Sequence, residues 1–225
     1  MCCVYSETGH GASCRLVKLV ERGKRVADKL VAIIFAAGYS RRFGSGDKRL
    51  ARLPDGRTLL AATLAGVAEA FPLRRVVLRE KEEPAALELP PETPIIPVRQ
   101  ARLGLGSSLA EAMTAVCHDA ALAGVESVAI LLGDMPDIRL DTYLALQRLV
   151  GPDCIVRPRY AGRAGHPVLI GRDFWEELQA LEGDEGARSV LARHRLSCVT
   201  LDVDDPGVCQ DIDSLDDLAL RASGN

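Results

Sequence analysis

An α/β fold with helices on both faces of a mostly parallel central sheet is predicted by three observations on this 225-residue chain. Its short apolar runs, Val31–Phe35 and Ala129–Leu132 among them, are continuous rather than alternating, as strands buried on both faces require. The segments between them carry apolar residues at helical spacing, as at Leu60, Leu64 and Val67. Strands separated by helices of that length pair in parallel through right-handed crossovers.

Residues 1–29 differ from the rest: Met1 to Ala12 is small and polar, and Arg15 to Lys29 is basic without a sustained apolar period. They read as a loosely ordered extension, with a short helix over 16–26 as the alternative, ahead of one domain spanning 30–225. No signal-peptide pattern is present. Val31–Phe35 is the first strand of the domain. Pro54-Asp55-Gly56 marks a turn, and Thr58 caps a helix that Pro72 stops. A second strand is expected over 75–79, a charged, proline-rich loop over 80–94 and a brief third strand over 95–98. Ser108-Leu109-Ala110-Glu111 fits a capping box opening a helix that Gly124 ends. A fourth strand follows over 127–132 and a helix over 140–150. Strands over 153–156 and 167–170 flank a glycine-rich loop. Helices over 173–181 and 187–194, a strand over 199–203 and a helix over 214–221 complete the chain.

A net charge of −3 gives no global basic field, which argues against bulk nucleic-acid binding. No apolar stretch reaches the roughly 18 residues needed to cross a bilayer. The seven cysteines are odd in number and contain no C-x-x-C spacing, so reduced thiols in the cytoplasm are expected rather than a zinc site or disulfide framework.

In this architecture ligands bind beyond the carboxyl ends of the strands. Two loops are placed there. The first, Ala36 to Lys48, combines small residues, glycines and cations: Ala36, Ala37, Gly38, Ser40, Arg42 and Lys48 are the residues suited to a phosphate-wrapping loop. The same spacing also describes a strand-to-loop turn with solvated basic residues. The second, Gly133-Asp134-Met135-Pro136, puts Asp134 where a carboxylate can hold a divalent cation, or cap the next turn. Asp211 and Asp213 flank Ile212, and period-two spacing aims both side chains the same way. A third glycine loop, Gly104 to Ser108, leads into a helix, whose amino end attracts anions; Leu109 stands where a dinucleotide fingerprint needs its third glycine. His166 either meets a substrate or satisfies a loop carbonyl.

Together these segments resemble the molybdenum cofactor nucleotidyltransferases, within the glycosyltransferase-A-like nucleotidyltransferase superfamily. The family's order is L-A-A-G-x-S-x-R-x-G and a lysine, then G-x-G-x-S-L, G-D-x-P, G-D-x-G-A-R following a G-H-P segment, and D-x-D before an acidic helix. Here these are Phe35–Gly44 with Lys48, Gly104–Leu109, Gly133–Pro136, Gly183–Arg188 following Gly165–Pro167, and Asp211–Asp217. Phe35 replaces leucine, one extra residue separates Gly44 from Lys48, Leu105 replaces methionine, and Ser214-Leu215 stands where threonine-proline is frequent.

The resemblance implies a three-layer Rossmann-like nucleotidyltransferase fold. It also implies a Mg2+-dependent enzyme that transfers CMP from CTP to the phosphate of a molybdopterin-type acceptor. In that scheme Arg42, Lys48 and Asp134 are catalytic, the first two holding the triphosphate. Ala36, Ala37, Gly38, Ser40, Gly104, Gly106, Ser107 and Ser108 bind the nucleotide. Asp134 holds the metal with Asp211 or Asp213, and Gly165, His166 and Pro167 face the acceptor. Ala37 matches the cytidylyl branch, where the guanylyl branch has glycine. The alternatives are GTP as donor, or a sugar, polyol or phospholactate phosphate as acceptor. A non-catalytic module serving a molybdoenzyme or its chaperone is the alternative of another class.

Overall fold

The computed structural model describes residues 3–5, 27–40, 43, 46–214 and 217–218. Fourteen elements carry the fold: β1 (Cys3–Tyr5), β2 (Leu30–Phe35), α1 (Leu59–Ala70), β3 (Arg74–Arg79), β4 (Ile95–Val98), α2 (Leu105–His118), β5 (Ser127–Leu132), α3 (Leu140–Gln147), β6 (Ile155–Tyr160), β7 (Arg163–Ala164), β8 (Val168–Gly171), α4 (Trp175–Gln179), α5 (Arg188–Arg193) and β9 (Cys198–Asp202). The strands form one mixed sheet in the order β1-β9-β6-β8-β5-β2-β3-β4, with β7 paired to β6.

The continuous apolar runs are explained by burial on both faces. In β2, Val31, Ile33 and Phe35 pack with Leu109, Met113, Val116 and Trp175, from α2 and α4. Leu30, Ala32 and Ile34 pack on the opposite side with Val67, Phe71, Tyr143 and Leu146, from α1, α3 and the loop after α1. Phe71 and Tyr143 meet edge to face there, with centroids 5.5 Å apart. β5 divides in the same way, Val128 and Ile130 to one side and Ala129 and Leu131 to the other.

The parallel expectation holds for β2 with β3 and β5, for β3 with β4, and for β9 with β1 and β6. It fails at β8, which runs antiparallel between β5 and β6. The link from Tyr160 to Val168 is too short for a crossover helix, so the chain must turn back on itself. Cys3–Tyr5 adds to the sheet edge in parallel with Val199–Leu201. The helix considered over 16–26 lies outside the described residues, as does most of the one expected over 214–221. No helix among the described residues is long and apolar enough to cross a membrane.

α2 departs from its expected limits. It opens at Leu105 rather than after Ser108, and it ends at His118, ahead of Gly124. Ser108 lies inside the first turn with its hydroxyl donating to the Gly104 carbonyl. Glu111 does not close a capping box: its carboxylate accepts from the Arg99 and Gln100 amides. The cap comes from elsewhere in the chain, as Asp184 Oδ1 accepts from the Leu105 amide at 3.1 Å. That bond satisfies one of the orphan donors of a helix start without any local capping residue.

Candidate active site

β2 and β5 are adjacent and in register, Phe35 opposite Leu132, so the loops that follow them leave the sheet side by side. The Gly133 amide donates to the Phe35 carbonyl at 2.9 Å. A Cβ at Gly133 would lie 3.2 Å from the Ala36 Cβ, so glycine allows the two loops to touch.

Across this junction Lys48 reaches two carboxylates. Its Nζ donates to Asp134 Oδ2 at 2.5 Å and to Asp213 Oδ1 at 2.8 Å. The Lys48 and Asp134 side chains are 15% and 16% exposed and Asp213 is 38% exposed, so the group lies in a cleft wall with one open side. Asp213 is delivered by the tail: the Ile212 amide donates to the Asp134 carbonyl at 3.1 Å, and the Ile212 side chain is buried with Phe43, Leu53, Leu59 and Ala62.

The electrostatics are unbalanced. Burial pushes the Asp134 carboxyl above its ordinary pKa against the pull of Lys48, and Asp211 and Asp213 add to the rise. Burial opposes the Lys48 charge, but Asp134 and Asp213 outweigh it and raise its pKa. Two carboxylates thus hold one ammonium, and the charge of Asp211 bears on Asp134 as well. Asp134 Oδ1 is sealed from solvent and has no hydrogen-bond partner among the described residues. Among those residues no three His, Cys, Asp or Glu side chains close into a metal-ligand set.

The tail that carries Asp211 and Asp213 is anchored by Asp205, whose burial no local pattern announces. Asp205 is 2% exposed. Its carboxylate accepts from the Arg139 amide at 2.9 Å, the Thr142 hydroxyl at 2.7 Å and the Gly207 amide at 3.0 Å.

Other expected site residues separate into those at the junction and those used for packing. Gly38 is exposed and Ala37 is buried beside it. Ala36 is committed internally: its amide donates to Val77 and its carbonyl accepts from Arg49. Ser40 holds a left-handed backbone, φ 49°, and its carbonyl accepts from the Phe43 amide. Arg42 lies outside the described residues.

The Gly104–Ser108 loop is docked on the 182–184 turn. The Ser107 amide donates to the Gly183 carbonyl, and the Ser107 hydroxyl accepts from the Gly183 amide. A Cβ at Gly104 or Gly106 would come within 2.6 or 2.7 Å of that turn, and Gly104 also has φ 122°. These glycines and the Ser107 side chain close a loop–loop contact, while the Ser108 hydroxyl turns back to the Gly104 carbonyl. Gly165 is likewise packed, with a Cβ position 2.3 Å from the Val208 carbonyl, and Pro167 is buried. The His166 amide donates to Val208, and its ring bonds the Ile130 main chain. Burial lowers its pKa against that bond, which keeps the ring neutral near pH 7. Its Nδ1 has no partner among the described residues.

Sequence inspection also missed a buried ionic group behind the phosphate-type loop. Arg49 is 5% exposed, bonded to Asp47, Glu82 and the Ala36 carbonyl. Burial opposes the Glu82 charge, but the bonds from Arg49 and Arg79 outweigh it and bring its pKa to about 2, below an ordinary 4.5. A depressed carboxyl contributes stability that is present above pH 4.5 and lost as pH falls toward 2. The shift corresponds to about 3 kcal/mol. Urea midpoints measured from pH 5 to pH 2 are expected to fall less steeply for Glu82→Gln than for the parent; parallel acid limbs would assign the loss to other groups.

The comparisons fit this geometry. The model of the MobA-like NTP transferase domain matches residues 32–198. The chain belongs to that family. Bacillus subtilis (strain 168) purine catabolism protein PucB is 29% identical over 206 residues, which is 86% of this chain and 97% of PucB. A solved homologue of Mycobacterium tuberculosis Rv0371c, from Mycobacterium sp. strain JC1, is 31% identical and superposes with a TM-score of 0.73 over 87% of this chain and 96% of its own. Rv0371c from Mycobacterium tuberculosis H37Rv, solved in complex with manganese, is 24% identical with a TM-score of 0.69, covering 88% of this chain and all of its own, and supports the fold. As an NTP transferase, the chain is a nucleotidyltransferase of the mixed α/β type.

Proposed function

We propose that this nucleotidyltransferase uses a divalent cation, physiologically Mg2+, to transfer CMP from CTP to the phosphate of a molybdopterin-type acceptor, releasing pyrophosphate. The observation that carries the reading is the Lys48 ammonium held between Asp134 and Asp213, where the loops after β2 and β5 leave the sheet side by side. The donor base is read from Ala37 and the acceptor from the order of the motifs.

The residues present fit a divalent cation. The partnerless Asp134 Oδ1 and the surplus of carboxylates over ammonium are the conditions under which a cation relieves repulsion. Asp134 with Asp213 or Asp211 would hold it, leaving phosphate oxygens and water to complete an octahedron. When bound, the ion would neutralise triphosphate charge. The manganese complex of Rv0371c is a property of that protein and supports the same choice of ligand class here.

In the proposed reaction an acceptor phosphate oxygen forms a bond to the α-phosphorus while the bond from the α-phosphorus to the bridging oxygen breaks, and the electron pair leaves with pyrophosphate. A phosphate monoester has a second pKa near 6, so the nucleophile is already largely dianionic at pH 7 and no general base is needed. The chain's own task is to bring anions together and hold them. Lys48 supplies a charge that is firmly protonated, and the Ala37–Gly38 backbone offers close approach. Arg42 adds a second cation from the same loop.

Thermal shifts with Mg2+ and CTP, GTP or ATP test the donor, since a bound ligand stabilises by mass action. A larger shift with CTP is expected. A larger shift with GTP overturns the base assignment. Pyrophosphate release from CTP that needs added molybdopterin supports the acceptor; release with a polyol phosphate but not molybdopterin overturns it.

A further inference from the structure

The buried ionic group beside the site has a geometry that bears on Lys48. Arg49 donates through Nε and Nη2 to the Asp47 carboxylate at 2.9 and 2.6 Å. Through Nη1 it donates to the Ala36 carbonyl at 2.5 Å and to Glu82 Oε2 at 3.0 Å, and through Nη2 also to Glu82 Oε1. Asp47 in turn caps the short 3-10 turn Lys48–Leu50, accepting from the Arg49 amide at 3.0 Å.

One guanidinium therefore joins three separate pieces of chain. Ala36 is where the loop leaves β2, Asp47 is where it ends, and Glu82 lies just beyond β3. Lys48 is enclosed between Asp47 and Arg49 in sequence, so fixing both neighbours fixes the origin of its side chain. Glu82 also accepts from Arg79, whose guanidinium lies 4.6 Å above the Tyr39 ring in the outer limb of the same loop. Both limbs are thereby referred to one half-buried carboxylate.

Burying such a group is seldom the cheapest way to stabilise a fold, because apolar replacements of similar volume are often as stable. The fork geometry of Arg is what an ammonium cannot reproduce: its donors point along fixed directions to several acceptors at once.

Resting on the reading that Lys48 and the Ala37–Gly38 backbone meet one nucleoside triphosphate, we propose that Arg49, anchored by Glu82, is a positioning residue that sets Lys48 relative to that backbone. It touches no substrate and acts through Lys48.

The test is calorimetric titration with CTP and Mg2+, run as a double-mutant cycle. Arg49→Lys is expected to weaken binding by about 10-fold or more, since small displacements of a binding group carry large penalties. In a Lys48→Ala background the same change is expected to cost less than about threefold, because a residue acting through Lys48 is coupled to it. Equal losses in both backgrounds, or no loss in the parental background, overturn the inference and leave Arg49 a stability element. If Arg49→Lys fails to fold, Glu82→Gln is read in the same two backgrounds by the same criterion. A parental chain that binds no nucleoside triphosphate brings down the underlying reading and this inference with it. A parental chain that binds CTP while both variants match it brings down this inference alone.

Discussion

Asp134→Asn is expected to lower turnover by about 10²–10³, equivalent to roughly 3–4 kcal/mol of transition-state stabilisation. Stability is expected to be unchanged or slightly raised. Asn keeps the shape of the side chain but removes a largely buried negative charge that Asp211 and Asp213 repel. Lys48 retains Asp213 as a partner at 2.8 Å, so no buried ammonium is abandoned. A site that costs stability and supplies function should behave this way. Turnover and thermal midpoint measured on the same preparation decide it. Parental turnover would remove Asp134 from the chemistry. A collapse of the midpoint by tens of degrees would make its role structural.

Gly207→Ala is expected to be the more damaging change to the fold. A Cβ there would lie 2.3 Å from the Asp137 carbonyl and 2.5 Å from its carbon, and both are backbone atoms that no rotamer change can move. Overpacking of this kind costs on the order of 3 kcal/mol. For a chain of this size that is roughly a 10 °C fall in midpoint. Activity should fall further than the loss of folded protein explains. Gly207 belongs to the turn that Asp205 ties to Arg139 and Thr142, and the same segment runs on to Asp211 and Asp213. Specific activity per folded molecule, measured well below the midpoint, separates the two effects. Parental stability would mean that the turn yields easily and is no anchor.

Legibility in the sequence followed distance along the chain. Leu30–Phe35 and Ser127–Leu132 were recognisable as strands because burial on both faces leaves no polar alternation. The loops after them stood out as candidates because small residues and charges are local properties. The α2 amino end was misread because Ser108 and Glu111 satisfy a local rule, whereas the cap is Asp184, 79 residues from Leu105. Gly104 and Gly106 read as a glycine loop before a helix; their close approach to the 182–184 turn is visible only in the tertiary structure. Nothing in the sequence near Arg49 announces Glu82, 33 residues away.

The sequence by itself determined the class of fold, the placement of two loops at the carboxyl ends of β2 and β5 and the residue types available there, since these follow from burial patterns and composition within a few residues. Tertiary structure alone decided which groups meet. Lys48 lies 86 residues from Asp134 and 165 from Asp213, and Asp211 reaches Asp134 only through the electrostatics of a shared cleft. Hydrogen bonds and charge interactions act over a few ångströms, so their partners are set by how β2, β5 and the tail are brought together, which no local pattern encodes.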